Sequence, residues 1–209
     1  MLKKDLIYEE LRDKIVRLDY EPGTILNESD LAADLDVSRT PIRDAIQRLE
    51  RDKLVTIAPR YGAQIPQIDF IGMKSLFDLT KVLDAFAASQ ACLNANEEDI
   101  EELQAIVDRL KTYDMKTHYR DAIIDDEKFH RKIREMANNT WLNELLIYLH
   151  LHSERLWHYC NNFFDDADIF YNSLQEVVDG IRDNNPEKAS EASANHIDDF
   201  IEKIKNTLL

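Results

Sequence analysis

Glycine is scarce in this chain, and that scarcity limits the available folds more than any other feature. Only four glycines occur among 209 residues, together with five prolines, whereas the usual glycine content is roughly 7%. The GxGxxG and GxxxxGK[ST] loops that hold dinucleotides and phosphates are therefore absent. Because helix interiors avoid both residue types, we expect a mainly α-helical protein.

Length and composition favour two small soluble domains. The 209 residues correspond to one or two domains, and the 44% hydrophobic content is close to the globular norm. No stretch reaches the roughly 18 apolar residues of a membrane helix, and no secretory signal is present, so we expect a cytoplasmic protein without a membrane partner. Cys92 and Cys160 lack metal-binding or redox spacing and are expected to be reduced and structural.

The net charge of −15 is unevenly distributed along the chain. Residues 1–68 contain 11 basic and 13 acidic side chains, whereas the remainder contains 15 and 28. Within residues 37–65, basic side chains outnumber acidic ones by six to three. A locally basic segment in a nearly neutral N-terminal part is compatible with phosphate contact, and the acidic remainder should face away from a polyanion.

The N-terminal pattern predicts three helices followed by a hairpin. Apolar stripes and start signals place the helices at residues 4–18, 28–35 and 38–53, with Ser38 as the N-cap of the third. Two short β-prone runs within residues 54–65 flank a Pro-Arg-Tyr-Gly turn. This order is typical of a winged helix-turn-helix, and we assign residues 1–68 to such a DNA-binding domain.

From residue 74 onward the pattern is helical almost without interruption. The predicted helices cover residues 74–94, 97–112, 117–137, 140–160, 167–184 and 186–208. We therefore predict a mainly α fold, in which an N-terminal winged helix-turn-helix is followed by an all-α helical bundle at residues 69–209.

The third predicted helix has an apolar face and a polar face. At 100° per residue its apolar positions cluster toward the core, whereas Thr40, Arg43 and Gln47 lie opposite. Arg39 lies nearer the core side, but from the first turn its side chain can project beyond the helix end. Arginine and threonine at a helix N-terminus suit a major groove, because arginine pairs with guanine and the helix dipole favours phosphate. On an isolated helix this face would more simply be solvated, but the order of the surrounding elements favours DNA contact.

The stretch from Asn27 to Leu49, which contains VSRTPIRDAIQRL, resembles the GntR family of bacterial transcription regulators. PGT before it and YGAQI after it add to the resemblance, which implies that the third helix touches DNA and that the wing reaches the minor groove. Ser29 stands where many relatives carry a basic residue, which implies weaker phosphate contact or an altered half-site preference. The candidate DNA-contacting residues are Ser38, Arg39, Thr40, Arg43, Gln47, Arg60, Tyr61 and Gly62.

Asp126 lies at the centre of the apolar face of the predicted helix 117–137, and His130 follows one turn later near its edge. Burying an aspartate is costly unless it is paired or bound to a cation. Residues four apart are neighbours on a helix, so this pair can share a metal ion or form a buried hydrogen bond. The spacing alone slightly favours the hydrogen-bonded pair and leaves the metal site open.

The segment DEKFHRKIREMANNTWL also resembles the FCD-type effector domain of the FadR-like branch of the GntR family, and this resemblance covers nearly all of residues 70–208. Metal-binding relatives use an Asp-x3-His pair, a histidine on a later helix and another on the last helix. Asp126, His130 and His196 match three of these positions, but Leu174 stands at the fourth. With three of these ligands the site is compatible with a divalent metal, zinc, nickel or manganese, held with reduced affinity, and the alternative is a site without metal.

The effector site departs from the family pattern as well. Thr80 stands where relatives usually carry an arginine that helps bind an organic acid, which weakens the implied preference for a carboxylate effector. Arg155 supplies the missing cation only if it points inward, and an outward salt bridge is the simpler expectation. Thr80, Arg155 and Leu174 form the candidate effector pocket. Three histidines spread around their helix and are expected to be structural or exposed: His150, His152 and His158.

The leading hypothesis is a DNA-binding regulator, most simply a repressor, whose operator affinity changes when a small molecule binds inside the helical bundle. A homodimer with its interface within residues 70–209 is expected, because a single winged module reads only a few base pairs. A metal-dependent enzyme and a protein-interaction module are the alternatives. The sequence shows no nucleophile with its base and no complete metal set, which disfavours an enzyme. The basic third helix disfavours a protein-binding module.

Overall fold

Helices make up most of the chain, as its low glycine content predicts. The computed structural model describes residues 3–58, 62–160 and 168–208. The chain divides into two units, Met1–Asp69 and Phe70–Leu209, each with its own buried apolar core. The predicted fold class, a winged helix-turn-helix followed by an all-α bundle, is confirmed. Among the described residues, no helix has the length and apolar content needed to span a membrane.

The first unit combines helices with a small antiparallel sheet. Its elements are α1 (Lys3–Val16), β1 (Ile25–Leu26), α2 (Glu28–Asp34), α3 (Arg39–Arg51), β2 (Thr56–Ala58) and β3 (Gly62–Gln64). The strand β3 is central and pairs with β1 on one side and β2 on the other. The sequence pattern predicts the β2–β3 hairpin but not β1, because two residues are too few to show an alternation.

Apolar stripes and local capping explain the helices of the first unit. Leu11 of α1 and Ile42 of α3 are fully buried, and burial of such a side chain contributes about 1.5–3 kcal/mol. The helix α2 begins after Asn27, whose side chain accepts a hydrogen bond from the backbone nitrogen of Ser29 at 2.8 Å. Ser38 holds the N-cap position of α3 as predicted, but its hydroxyl makes no capping hydrogen bond.

The second unit is a helical bundle. Its elements are α4 (Phe70–Asn94), α5 (Glu97–Leu110), α6 (Met115–Ala137), α7 (Thr140–Tyr159), α8 (Asp168–Arg182) and α9 (Pro186–Leu208). The start of α5 is fixed by a capping box, in which the side chains of Asn96 and Asp99 each accept a hydrogen bond from the other's backbone nitrogen. Near the start of α6, His118 departs from helical geometry, with φ −118° and ψ 18°.

Close helix packing shapes the interior of this bundle. The helix α4 packs along both α6 and α9, and α8 packs against α9. At Gly180 of α8 an added methyl group would lie 2.6 Å from the backbone nitrogen of Ala189 of α9, so only glycine permits this approach. Elsewhere the inner faces of α4, α6, α7 and α9 do not close completely and leave a small cavity between them.

Candidate DNA-binding and effector sites

The helix α3 presents the polar face that the sequence predicts. Its apolar positions are buried in the first unit: Ile42, Ala45, Ile46 and Leu49. The predicted contact residues of this segment are all exposed: Ser38, Arg39, Thr40, Arg43 and Gln47. Since the first-turn backbone N–H groups of a helix also point outward, this end of α3 combines arginine side chains with a positive dipole.

Arg43 is held in a defined orientation by α2. Its Nε and Nη2 donate to Glu28 Oε1 and Oε2 at 3.1 and 2.9 Å, a two-bond contact. The hydrogen bond from Arg43 lowers the pKa of Glu28 below its ordinary value. The Arg43 side chain nevertheless remains 63% exposed and accessible to a ligand.

Arg48, on the same helix, has a structural role in the first unit. Its Nη1 donates to Asp5 Oδ1 at 2.9 Å, and its guanidinium lies 3.9 Å from the centre of the Tyr8 ring. These contacts tie α3 to α1. The basic residues of α3 therefore have two roles. Arg39 and Arg43, near its N-terminus, are exposed, whereas Arg48 contacts α1 within the first unit.

The wing residues of the candidate DNA set are only partly described. Gly62 starts β3 with φ +100°, and an added Cβ there would lie 3.1 Å from the Leu26 carbonyl oxygen, so glycine is required by both conformation and space. Arg60 and Tyr61 lie outside the described residues.

A small cavity of about 30 Å³ lies inside the second unit, with room for a few waters or an ion. Three aromatic side chains contribute to its wall: Phe77, Trp157 and Phe200. The polar part of the lining consists of Thr80, Asp126, Glu127, His130, His150, Ser153, Glu154 and His196. Among the described residues, this lining includes no lysine or arginine.

Three candidate effector-pocket residues have different positions in the structure. Thr80 lines the cavity, but its hydroxyl donates to the Leu76 carbonyl oxygen at 2.9 Å. Arg155 and Leu174 do not belong to the lining, which corrects their assignment to the pocket. Leu174 is buried in the apolar face of α8, and Arg155 is buried as well, with 5% of its surface exposed. Arg155 follows the lining residue Glu154 directly, and a step of one residue turns a helix by about 100°.

The predicted metal residues converge on this cavity from α6 and α9. His130 Nε2 lies 3.8 Å from Asp126 Oδ2, and His196 Nε2 lies 3.5 Å from Asp126 Oδ1. Asp126 Oδ1 is buried and makes no hydrogen bond. Ligand atoms about 2.1 Å from one ion in tetrahedral geometry are about 3.4 Å apart, so these separations suit a shared cation.

The protonation of this triad also fits a cation. Burial raises the pKa of Asp126, but His130 and His196 lower it by more, so the carboxylate is ionised. Burial lowers the pKa of His130 to about 4, which leaves its ring neutral at pH 7. His196 Nδ1 lies 2.9 Å from Ser173 Oγ, and the tautomer in which Nδ1 donates to that oxygen has an Nε2 lone pair available to an ion. A carboxylate with two neutral imidazoles is a donor set that divalent transition metals accept.

A second polar group on the cavity wall was missed by the sequence analysis. His150, expected to be structural or exposed, lines the cavity, and its Nε2 lies 2.9 Å from Asp84 Oδ2. Asp84 is 2% exposed, and the ring centres of His150 and His130 are 4.8 Å apart. Asp84 follows the inward-facing Thr80 by four residues on α4, and that spacing is the signal that could have found it.

An exposed helix in a winged domain, followed by a helical domain with a polar cavity, is the architecture of a DNA-binding regulator. Residues 3–65 match the family described as bacterial regulatory proteins, gntR family, and residues 75–199 match the FCD domain. The chain belongs to the GntR family, and its helical unit is an FCD domain. It is a transcriptional regulator and not an enzyme.

Individual relatives agree with this assignment. The chain is 26% identical to the HTH-type transcriptional regulator YdhC of Bacillus subtilis (strain 168), over 96% of this chain and 90% of YdhC. It is 30% identical to the gluconate operon transcriptional repressor of Bacillus licheniformis, over 64% of this chain and 54% of that repressor. Two solved structures share the fold across 99% of each chain: E. coli McbR/YncC (TM-score 0.84, 20% identity) and a putative GntR regulator from Rhodococcus sp. RHA1 (TM-score 0.76, 21% identity).

Proposed function

We propose that this regulator is a repressor that binds operator DNA as a homodimer and changes its affinity when a small molecule binds inside the helical bundle of the second unit. In this proposal residues 1–68 form the DNA-binding domain, and residues 69–209 bind the effector and dimerise. The observation that carries it is the exposed end of α3, where Arg39, Thr40 and Arg43 face outward above a fully apolar inner face. The gluconate operon repressors among the relatives support the repressing sign.

Alanine substitutions on α3 test the DNA-binding part. A specific duplex is first selected from a random library with the full chain, and its affinity is then measured for Arg43→Ala and Arg39→Ala. Loss of a bidentate contact to guanine costs about 1–3 kcal/mol, a fall in affinity of about 5- to 150-fold. Arg131→Ala, an exposed arginine of α6, is the matched control and should leave binding unchanged. Unchanged specific binding in both α3 variants would contradict the assignment of this helix.

The proposed dimer uses an apolar stripe on α4. Leu79, Val82, Phe86 and Leu93 are between 46% and 63% exposed, and at 100° per residue they fall within about 60° of one another. Thr80, which lines the cavity, and Asp84, which contacts His150, lie on the opposite side of the same helix. A contiguous exposed apolar face of this kind favours association, and a two-fold pair supplies the two reading helices that an operator with two half-sites needs.

The proposed cofactor is a divalent metal, zinc, nickel or manganese, held by Asp126, His130 and His196. The buried Asp126 Oδ1 without a hydrogen bond is the observation that supports it, because a bare buried carboxylate oxygen is costly. Such an ion supplies a positive charge to a cavity whose lining has no lysine or arginine among the described residues. That charge would favour an effector with a carboxylate group.

Metal analysis separates this site from a simple hydrogen-bonded pair. Purified full-length protein is compared with Asp126→Asn and with Asp121→Asn, an exposed carboxylate of the same helix. We expect metal in the parent protein and in the Asp121 variant, and its loss in the Asp126 variant. Because ligation requires neutral imidazole and burial lowers the pKa of His130 to about 4, the bound metal should be retained at about pH 6.5 and lost on acidification toward about pH 4. Near-zero metal in all three, with no thermal shift on adding zinc, nickel or manganese, would leave the hydrogen-bonded pair as the better account.

A further inference from the structure

His150 lies between two oppositely charged side chains on the wall of the cavity. Arg134 Nη1, from α6, is hydrogen-bonded to His150 Nδ1. On the other edge of the ring, Nε2 lies 3.0 and 2.9 Å from Asp84 Oδ1 and Oδ2 of α4. All three side chains are largely buried, with exposed fractions of 5%, 13% and 3%. The arrangement joins α4, α6 and α7 at one point.

Counting protons fixes the state of this imidazole. A guanidinium has donors only, so His150 Nδ1 must accept the hydrogen bond from Arg134 and carries no proton. A neutral ring then has its proton on Nε2, which donates to the Asp84 carboxylate. Both ring nitrogens are thereby committed to protein partners.

Two possible ligand triads share His130. One consists of Asp84, His130 and His150, and the other of Asp126, His130 and His196, and in each the ligand atoms lie within 4.8 Å of one another. Spacing alone does not distinguish them. The hydrogen bonds do, because His150 has no lone pair left for an ion while Asp126 Oδ1 makes no hydrogen bond.

We infer that His150 is a positioning residue which, with Arg134, withholds Asp84 from the cation and confines the ion to the triad of Asp126, His130 and His196. This inference rests on the proposed metal site. Coordination by His150 Nε2 would require either a doubly deprotonated ring or removal of Arg134 from a buried position, and both are costly. His150 therefore does not replace the histidine that metal-binding relatives have at the position of Leu174.

The arrangement sets the charge at the metal. Because Asp84 is hydrogen-bonded to His150 and does not line the cavity, the ion keeps a single carboxylate ligand and two neutral imidazoles, which leaves a divalent site with a net charge of +1. Recruitment of Asp84 as a second carboxylate would make the site neutral. The hydrogen-bonded chain from Arg134 to Asp84 thus preserves the positive charge that an anionic effector group needs at a cavity whose described lining includes no lysine or arginine.

His150→Gln tests this role because a glutamine amide can accept from Arg134 through its oxygen and donate to Asp84 through its nitrogen. Cobalt(II) and zinc titrations of the full chain compare this variant with His196→Gln, the same substitution at a proposed ligand. We expect His150→Gln to keep its metal affinity within about threefold and its cobalt spectrum, and His196→Gln to lose at least about 10- to 100-fold. Equal losses in the two variants would overturn the inference and make His150 a ligand.

A second measurement does not depend on metal. Long-range ¹⁵N–¹H spectra of the metal-free protein should show His150 protonated at Nε2 alone, and thermal unfolding should rank His150→Gln close to the parent protein and His150→Ala well below it. A proton on Nδ1, or equal stability of the Ala and Gln variants, would overturn the inference. If the parent protein binds no metal, the proposed metal site fails, but these two readouts still decide the role of His150.

Discussion

At the scale of single residues, Asp125 is a buried carboxylate whose charge is matched by its neighbours. It accepts hydrogen bonds from Arg109 Nε at 2.9 Å, from Lys128 Nζ at 2.8 Å and from the Tyr113 hydroxyl at 2.8 Å. Burial raises the pKa of Asp125, but these hydrogen bonds lower it by more, to about 2. Asp125→Asn keeps the shape and removes the charge, so we expect the free energy of unfolding at pH 7 to fall by about 2 kcal/mol.

The pH dependence of this loss identifies its cause. Because the folded-state pKa of Asp125 is depressed, its contribution is present above the unfolded pKa of about 3.9 and disappears as the pH falls toward the folded value. Urea unfolding of the parent and Asp125→Asn proteins should therefore converge between about pH 4 and pH 2. Asp121→Asn, exposed on the same helix, should change stability by less than about 0.5 kcal/mol. A gap between parent and variant that is independent of pH would exclude the electrostatic explanation.

The cavity shows which single residues a sequence can and cannot predict. Asp126 is anomalous on its own helix, because a carboxylate at the centre of an apolar stripe needs a partner. His150 gives no such signal, since its environment depends on Arg134 from α6 and Asp84 from α4, and those contacts form only when three helices pack. A polar residue on the apolar face of its own helix can be recognised from the sequence. A polar residue whose partners lie on other helices cannot.

At the scale of secondary structure, the crossing of α8 and α9 depends on Gly180. An added methyl group there would lie 2.6 and 2.8 Å from the backbone nitrogen and Cα of Ala189. Backbone atoms cannot move aside as a flexible side chain can, so the two helices must separate. We expect Gly180→Ala to lower the free energy of unfolding by about 1–3 kcal/mol, despite the better helix propensity of alanine.

Chemical unfolding with a matched glycine substitution checks this prediction. Gly72→Ala changes an exposed position of α4 and should be neutral or stabilise by up to about 1 kcal/mol, because alanine restricts the unfolded chain. Opposite signs for the two variants are the expected result. A Gly180→Ala protein as stable as Gly72→Ala would show that the α8–α9 contact adjusts without cost.

The sequence predicts the long helices well, because their apolar pattern repeats over many residues. It predicts their first and last residues less accurately. The helices α5 and α9 begin where Asn96 and Pro186 predict, because capping and first-turn signals are local. The helix α4 begins at Phe70 and not at residue 74, since a single glycine, Gly72, lowers helix propensity without interrupting a helix. The strand β1 forms because it pairs with β3, and its two residues show no sequence pattern that predicts a strand.

At the scale of the whole molecule, the proposed function requires two copies of the chain. A winged module contacts only a few base pairs, and regulators of this kind reach useful affinity by reading two half-sites about one helical turn apart. Linking two binding modules raises affinity by about 10²- to 10⁴-fold without any new contact. We assign the proposed dimer contact to the exposed apolar stripe of α4. The sequence of one chain does not predict which surface these residues contact.

Leu79→Glu places a charge on that stripe and therefore tests assembly and function together. Sedimentation at micromolar concentration should show a dimer for the parent protein and a monomer for the variant, because a charge in an apolar interface is not compensated. Affinity for the selected duplex should fall by about 100-fold or more, while circular dichroism stays unchanged. Ile147→Glu is the matched control, since Ile147 on α7 is 49% exposed and Leu79 is 50% exposed. If Leu79→Glu remains dimeric, or if it becomes monomeric yet binds the duplex as the parent does, then the α4 stripe does not couple dimerisation to operator binding.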